Sequence, residues 1–300
     1  MIPNTIHFIF GLKDNFGEMS FSFIHYLSIK SAYECNKPDA IKFYYKYEPN
    51  GEWWEKSKEY LTLIKIEPPK EIFGNPLLHF SHQADVLRLE ILIKEGGIYL
   101  DMDVLCLNSF MHLRKYKCVI GKEEEKGLCN AVILAEPNAE FLKIWYAEYK
   151  TFRSKGHDEF YVEHSVKLPL KLAKKNPEKV HIEDKFSFYW PSYFNGSLPL
   201  WDRTKVDMPN KLLNRFKKWF AFKFICGSYC IHLWESVWWD KYLKEIDFEC
   251  INNNDDNFSK LCKKFIFSKN GRPKNKFHIF RPLMKKLINS YLSKEINHVK

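Results

Sequence analysis

His82-Gln83-Ala84-Asp85-Val86-Leu87-Arg88, running on through Gly96-Gly97-Ile98-Tyr99-Leu100-Asp101-Met102-Asp103, is the stretch whose reading decides how this chain folds. Val86, Leu87, Leu89, Ile91, Leu92 and Ile93 give a helix with a broad apolar face. Gly96-Gly97 supplies its C-terminal stop, and Ile98-Tyr99-Leu100 reads as a short buried strand. Side chains alternate along a strand, so Asp101 and Asp103 are expected to share a face while Met102 points into the fold. Two carboxylates on one face can grip a hard divalent cation. An Asp-x-Asp by itself also reads as a solvated acidic turn. At the exit of a buried strand, where open α/β sheets bind ligands, the pair is far more specific.

Outward from this segment strands and helices alternate. The pattern predicts a strand over Ile6 to Phe10, an apolar helix over Phe21 to Tyr33 ended before Pro38, and an alternating strand over Ile41 to Tyr47. A helix over Glu52 to Tyr60 and a strand over Leu61 to Ile66 complete a βαβαβ unit. Beyond the acid pair come strands near Cys118 to Gly121 and Ala131 to Ala135, then helices over Glu140 to Tyr149 and Val166 to Lys175, with Pro169 marking a start or a kink. The fold class is α/β, a Rossmann-like domain with a mixed central sheet. No internal repeat is present. The polar run Asn252-Asn253-Asn254-Asp255-Asp256-Asn257 is read as a boundary, dividing the chain into a main domain, 1–250, and a basic helical C-terminal extension, 251–300.

Composition bounds the class further. With 45% hydrophobic and 17% aromatic side chains, 300 residues bury a large core, which excludes a disordered chain. The longest apolar stretches fall far short of the roughly 18 residues that cross a bilayer. Met1-Ile2-Pro3 leads into a strand without a charged n-region or cleavage site, so a soluble, untargeted protein is expected. The eight cysteines are scattered with no C-x-x-C, and Cys226 and Cys230 lack a second pair at zinc spacing. Reduced thiols and a cytoplasmic location follow as expectations. The sequons Asn195-Gly196-Ser197 and Asn257-Phe258-Ser259 matter only in a secretory compartment.

Charge is uneven. Lys260 to Lys300 holds twelve Lys or Arg and one acid, Glu295, a net +11 against +10 for the whole chain, so the rest is close to neutral. After Pro282, an apolar stripe of Leu283, Leu287, Tyr291 and Leu292 with Met284 and Ile288 lies beside Lys285, Lys286 and Lys294. Such a helix either lies on an anionic membrane surface, making residues 260–300 a peripheral contact, or packs back on the main domain.

The segment from His82 to Asp103 resembles the nucleotide-sugar core of the DXD-containing glycosyltransferases of family 32, relatives of yeast-type initiating mannosyltransferases, α1,4-galactosyltransferases and clostridial glucosylating toxins. Three further stretches agree in order: Ile2-Pro3-Asn4-Thr5-Ile6-His7-Phe8-Ile9-Phe10-Gly11, Cys129-Asn130-Ala131-Val132-Ile133, and Ile231-His232-Leu233-Trp234-Glu235-Ser236. The resemblance spans roughly residues 1–245 and is most specific at the core. It implies a GT-A type fold and a metal-dependent, retaining transfer of a hexosyl group from a UDP- or GDP-linked donor to a glycan or other hydroxyl acceptor.

It also implies roles. Mn²⁺ or Mg²⁺ is held by Asp103 with Asp101 and His232; carboxylate, imidazole and phosphate ligands tolerate Mn²⁺ well. Asp85 serves sugar or ribose hydroxyls, Arg88 the sugar and diphosphate, and Tyr99 the diphosphate. Asn130 touches the transferred sugar or acceptor, and Phe10 stacks on the donor base. Trp234 forms a wall, and Glu235 or Ser236 contacts phosphate. Ser236-Val237-Trp238 departs from the spacing of some relatives, leaving open which of Trp234, Trp238 and Trp239 serves.

Each residue has a plainer reading beside this one. Phe10 also reads as core, and His7, alternating with Ile9, as structural. Asp85 and Arg88, three apart on a helix, also read as a surface ion pair, although a charged pair on so apolar a helix needs a reason to be buried. Tyr99 packs as well as it bonds, Asn130 suits a turn before a strand, and His232 with its tryptophans suits an aromatic core. Two other functions remain. One is an inactive transferase fold binding an anionic surface or nucleic acid through Phe265, Phe267, Phe277 and Phe280 interleaved with Lys and Arg. The complete acid pair argues against it, and no specific nucleic-acid partner is expected. The other, a two-metal phosphohydrolase, needs more clustered carboxylates.

Overall fold

The computed structural model describes residues 1–14, 21–124, 127–193, 200 and 225–266. In chain order its elements are β1 (Thr5–Ile9), α1 (Phe23–Asn36), β2 (Ala40–Tyr45), α2 (Glu52–Lys58), β3 (Thr62–Lys65), the short pair β4 (Glu71–Ile72) and β5 (Asn75–Pro76), α3 (Phe80–Glu95), β6 (Gly97–Leu100) and β7 (Val104–Cys106). There follow β8 (Cys118–Glu123), β9 (Gly127–Ala135), α4 (Glu140–Ala147), α5 (Leu168–Lys175), β10 (His181–Glu183), α6 (Lys185–Phe188), β11 (Cys230–His232), α7 (Glu235–Trp238), α8 (Phe248–Asn253) and α9 (Asn257–Ile266).

Seven strands form one mixed sheet in the order β10-β8-β9-β6-β1-β2-β3. β6, β1, β2 and β3 run parallel, as the βαβαβ pattern requires, while β9 pairs antiparallel with both β6 and β8. Alternation along β1 splits its side chains between two cores. Ile6 and Phe8 join α1 and Phe43 on one face; Ile9 joins Leu89, Leu92, Phe141 and Trp145 of α3 and α4 on the other.

The helix and stop predicted from sequence are both present. α3 ends where Gly96 takes φ +67° and its N–H donates to Leu92 O. Gly97, at φ +113°, has no room for a side chain: a Cβ there would lie 2.6 Å from His7 Nε2 and from Thr5 O. Pro169 falls in the first turn of α5 and marks its start.

Two local readings are corrected. Asn130 does not precede its strand but lies inside β9. The acid pair is not part of an alternating strand: β6 stops at Leu100, and Val104 N–H donates to Asp101 O at 3.1 Å, closing a tight turn over Asp101 to Val104. Met102 does enter the core.

Beyond the polar run, α9 packs against α1 and places Phe258, Leu261, Cys262 and Phe265 in the same core as β1. The apolar stripe of 283–292, the basic residues beyond 266, Phe267, Phe277, Phe280 and the Asn195 sequon lie outside the described residues. Among the described residues no helix is long and apolar enough to cross a membrane.

His7 is fully buried between Tyr44 OH (3.2 Å from Nδ1) and Gly96 O (2.9 Å from Nε2), a structural place. Burial lowers its pKa to about 4, against the raising effect of the Gly96 carbonyl and Glu95. Between about pH 6.5 and 4 the unfolded chain binds a proton at this site and the folded chain does not, so stability falls as pH falls, by about 3 kcal/mol in total. Urea unfolding of wild type and His7→Gln at pH 7 and pH 4.5 is expected to show a smaller acid loss in the variant. Equal losses would exclude His7 as the titrating group.

Candidate active site

The turn after β6 and the far end of the chain meet at one point. Asp101 N–H donates to Ala131 O at 2.9 Å, which fixes the start of the turn on β9. β7, leaving the turn, pairs antiparallel with β11, with His232 opposite Val104, and Leu233 N–H donates to Asp103 O at 2.9 Å. This ladder sets His232 Nε2 3.1 Å from Asp103 Oδ1. One ligating atom from each of Asp101, Asp103 and His232 lies within 4.8 Å of the others.

Asp103 and His232 are both buried. Burial works against both charged forms, but mutual attraction prevails: Asp103 is held below the usual carboxylate range by His232 and the Glu235 N–H, and His232 is raised by Asp103, with Asp101 and Glu123 adding to it. His232 Nδ1 is buried with no hydrogen-bond partner, an exception to the near-complete pairing of buried polar atoms. Two carboxylates and an imidazole whose Nε2 faces Asp103 fit a divalent ion of the Mg²⁺ or Mn²⁺ kind.

Beside this trio Arg88 organises a second group. Its guanidinium donates to Ala84 O (3.2 Å), Asn130 O (2.9 Å) and Asp101 Oδ1 (3.1 Å), forms an ion pair with Asp85 Oδ1 (3.1 Å), and lies 4.5 Å over the Tyr99 ring. Tyr99 OH donates to Asp101 Oδ1 at 2.7 Å, and Asn130 Nδ2 donates to Asp85 Oδ1 at 2.7 Å. Asp85 and Arg88 are buried and Asp101 is partly exposed, so the three form no surface ion pair but one bonded set reaching from the interior to the site. Burial alone would lower the Arg88 pKa; Asp101, Tyr99 and Asp85 more than offset this and keep it cationic. One guanidinium serves two carboxylates, so burial still pushes Asp85 upward despite Arg88, His82 and Asn130. Burial likewise raises Tyr99, leaving it a neutral donor to Asp101.

Residues 19–120 match the glycosyltransferase sugar-binding region containing DXD motif. Glucan organizing enzyme 1 of Cryptococcus neoformans var. grubii serotype A is 34% identical over 280 residues, covering 89% of this chain and 71% of that protein. The chain belongs to the DXD-containing glycosyltransferases. Solved structures with a similar outline include the galactosyltransferase LgtC in complex with donor and acceptor sugar analogs (14% identity, 90% of this chain and 98% of that one, TM-score 0.40). Another is the glycosyltransferase GlyE of Streptococcus pneumoniae TIGR4 (10% identity, 99% and 64% coverage, TM-score 0.44).

In this glycosyltransferase Trp234 has a left-handed backbone, φ +53°, uncommon for a bulky residue. The bend turns Glu235 N–H onto Asp103 Oδ2 at 2.8 Å. The Trp234 ring lies 4.2 Å from that of His232, and its Nε1–H donates to Pro191 O at 3.3 Å. Trp238 is buried, Trp239 is half-buried, and Ser236 is exposed on α7. The Glu235 carboxylate turns to His25 on α1, Oε1 lying 3.1 Å from Nε2. Phe10 sits on that same side, half-buried against Phe21, His25 and Phe43, away from the Arg88 set.

Three contributors escape sequence reasoning. Tyr189, in the aromatic run Phe188-Tyr189-Trp190, bridges an irregularity in the β8–β9 pairing: Ile120 faces Ile133 but Gly121 faces Cys129. Its hydroxyl accepts from Val132 N–H (3.2 Å) and donates to Cys129 O (2.8 Å), and between these two residues lies Asn130. Glu123, in an acidic run that reads as solvated, is buried and acts electrostatically on His232. His25 carried little signal, since Ser28, Ser31 and Asn36 are buried on the same helix.

Proposed function

We propose that this glycosyltransferase moves a hexosyl group from a UDP- or GDP-linked donor to a glycan or other hydroxyl acceptor, with retention of anomeric configuration and with a divalent ion. The convergence of Asp101, Asp103 and His232 within 4.8 Å, beside the Arg88 set, is the observation that carries this reading. These three residues would hold Mn²⁺ or Mg²⁺, which when bound neutralises charge on the departing diphosphate.

The chain's own groups do the remaining work. Asp85 Oδ1 takes both Asn130 and Arg88, so Oδ2 is the oxygen turned to account for a sugar or ribose hydroxyl. Arg88 and Tyr99 fix Asp101 Oδ1, leaving its other oxygen for the ion. Asn130, held on β9, lies beside the transferred sugar. Trp234 closes the far wall. No side chain on this reading is a covalent nucleophile; the acceptor hydroxyl attacks on the face the diphosphate leaves, and the leaving phosphate takes its proton.

Phe10 stacks on the base. Base stacking is worth about 1–3 kcal/mol, so Phe10→Ala is expected to raise the donor KM roughly 5- to 150-fold with a smaller change in kcat. A loss confined to kcat would show that Phe10 shapes the reacting centre instead.

Incubation with a panel of UDP- and GDP-sugars, with and without Mn²⁺, tests the whole reading. Metal-dependent release of nucleoside diphosphate from one donor class is expected, abolished by EDTA, and proton NMR of the transferred sugar is expected to show the donor's anomeric configuration. A folded protein that neither binds nor cleaves any donor would overturn the proposal, and an inverted product would overturn retention alone.

A further inference from the structure

We infer that His25 is a positioning residue that ties the donor-base side of the site to the carboxylate Asp103 through Glu235, an inference that rests on the metal reading above. His25 is buried on α1, and its two ring nitrogens have different tasks. Nδ1 accepts the Ser22 N–H at 3.3 Å, while His25 N–H donates to Ser22 Oγ at 3.3 Å, a reciprocal cap at the start of α1. With Nδ1 committed as an acceptor, the ring proton sits on Nε2 and points at Glu235 Oε1, 3.1 Å away.

The cap accounts for Nδ1 and needs nothing from Nε2. The second bond reaches from residue 25 to residue 235, and Glu235 is the residue whose backbone N–H holds Asp103 Oδ2 at 2.8 Å. The imidazole face meanwhile packs on Phe10, ring centres 4.8 Å apart, and stacks on Trp239 from α7's side at 6.4 Å. A single ring thus touches the aromatic at the end of β1 and, through one residue, the oxygen of the acid turn. The Trp234 bend aims the Glu235 N–H, and the pair with His25 ties down the side chain of that same residue. Loss of the His25 proton donor frees the Glu235 side chain, which is 30% exposed and accepts water instead, and α7 then no longer fixes the Asp103 carboxylate.

The experiment measures Mn²⁺ binding directly, by electron paramagnetic resonance of free Mn²⁺ in the presence of UDP or GDP, for full-length wild type, His25→Phe, His25→Gln, Glu235→Ala and Asp103→Asn, with thermal melts alongside. Loss of a group that orients a metal ligand costs roughly 10- to 100-fold in metal affinity, so His25→Phe and Glu235→Ala are each expected to weaken Mn²⁺ binding by that order, and a chain carrying both substitutions no further than either. His25→Gln, whose amide still donates to Glu235, is expected to recover most of the affinity. Wild-type Mn²⁺ affinity in Glu235→Ala or in His25→Phe would overturn the inference, as would a His25→Gln variant no better than His25→Phe. Should His25→Phe fail to fold, Glu235→Ala on the exposed side of the pair still decides. Asp103→Asn separates the two levels: wild-type Mn²⁺ binding there sinks the metal reading itself, whereas its loss there with retention in Glu235→Ala sinks only the role of His25.

Discussion

Asp103→Asn is expected to lower turnover by about a thousandfold or more, because stabilisation of the leaving diphosphate is worth several kcal/mol and each 1.4 kcal/mol is a factor of ten. Stability should fall by roughly 1–3 kcal/mol, since the amide oxygen still accepts one of the bonds that Asp103 receives from Glu235 N–H and His232 Nε2 while the other donor loses its acceptor. Asp103→Ala is a less clean variant. It strands both donors in a buried place and adds a loss of about 1–3 kcal/mol for each, which a melt would register as partial unfolding and confuse with lost chemistry. The decisive comparison is donor cleavage by Asp103→Asn at matched melting temperature; near wild-type turnover there removes Asp103 from the reaction.

Arg88→Met is expected to give the largest loss of stability. The guanidinium is the only cation bonded to Asp85 among the described residues, and the same group bonds Asp101. Removing one partner from a buried ion pair costs about 3–5 kcal/mol, since the other charge is left without compensation. In a chain of this size that lowers Tm by roughly 10 °C. Converting Asp85 to Asn in the same chain should return a large part of the loss while leaving the enzyme inactive, a combination that separates the structural cost of the ion pair from its chemistry. A fall of less than about 1 kcal/mol in Arg88→Met would show that water, not Arg88, compensates Asp85.

The local patterns of the sequence were sufficient for the helix Phe80–Glu95, its glycine stop, the buried strand after it and the parallel strands before it. Apolar periodicity and glycine's access to positive φ act over a few residues, so one sequence contains them in full. That Asp85 and Arg88 share a helix face was legible for the same reason; that Asp101 and Asp103 frame a turn instead of alternating along a strand was not. How those residues act on one another was decided by the tertiary structure. His232 reaches Asp103 because β11 pairs with β7, and Glu235 reaches His25 because α7 packs near α1; each bond joins positions more than a hundred residues apart. Asn130 reads as a turn residue until Tyr189 bridges the irregularity in β9 that aims it at Asp85. The polar run at 252–257 reads as a boundary until the apolar stripe of α9 finds a face on the main core. Such contacts leave no periodic trace along the chain, because burial and hydrogen bonding between distant segments depend on where the sheet brings them, and that placement is a property of the whole fold.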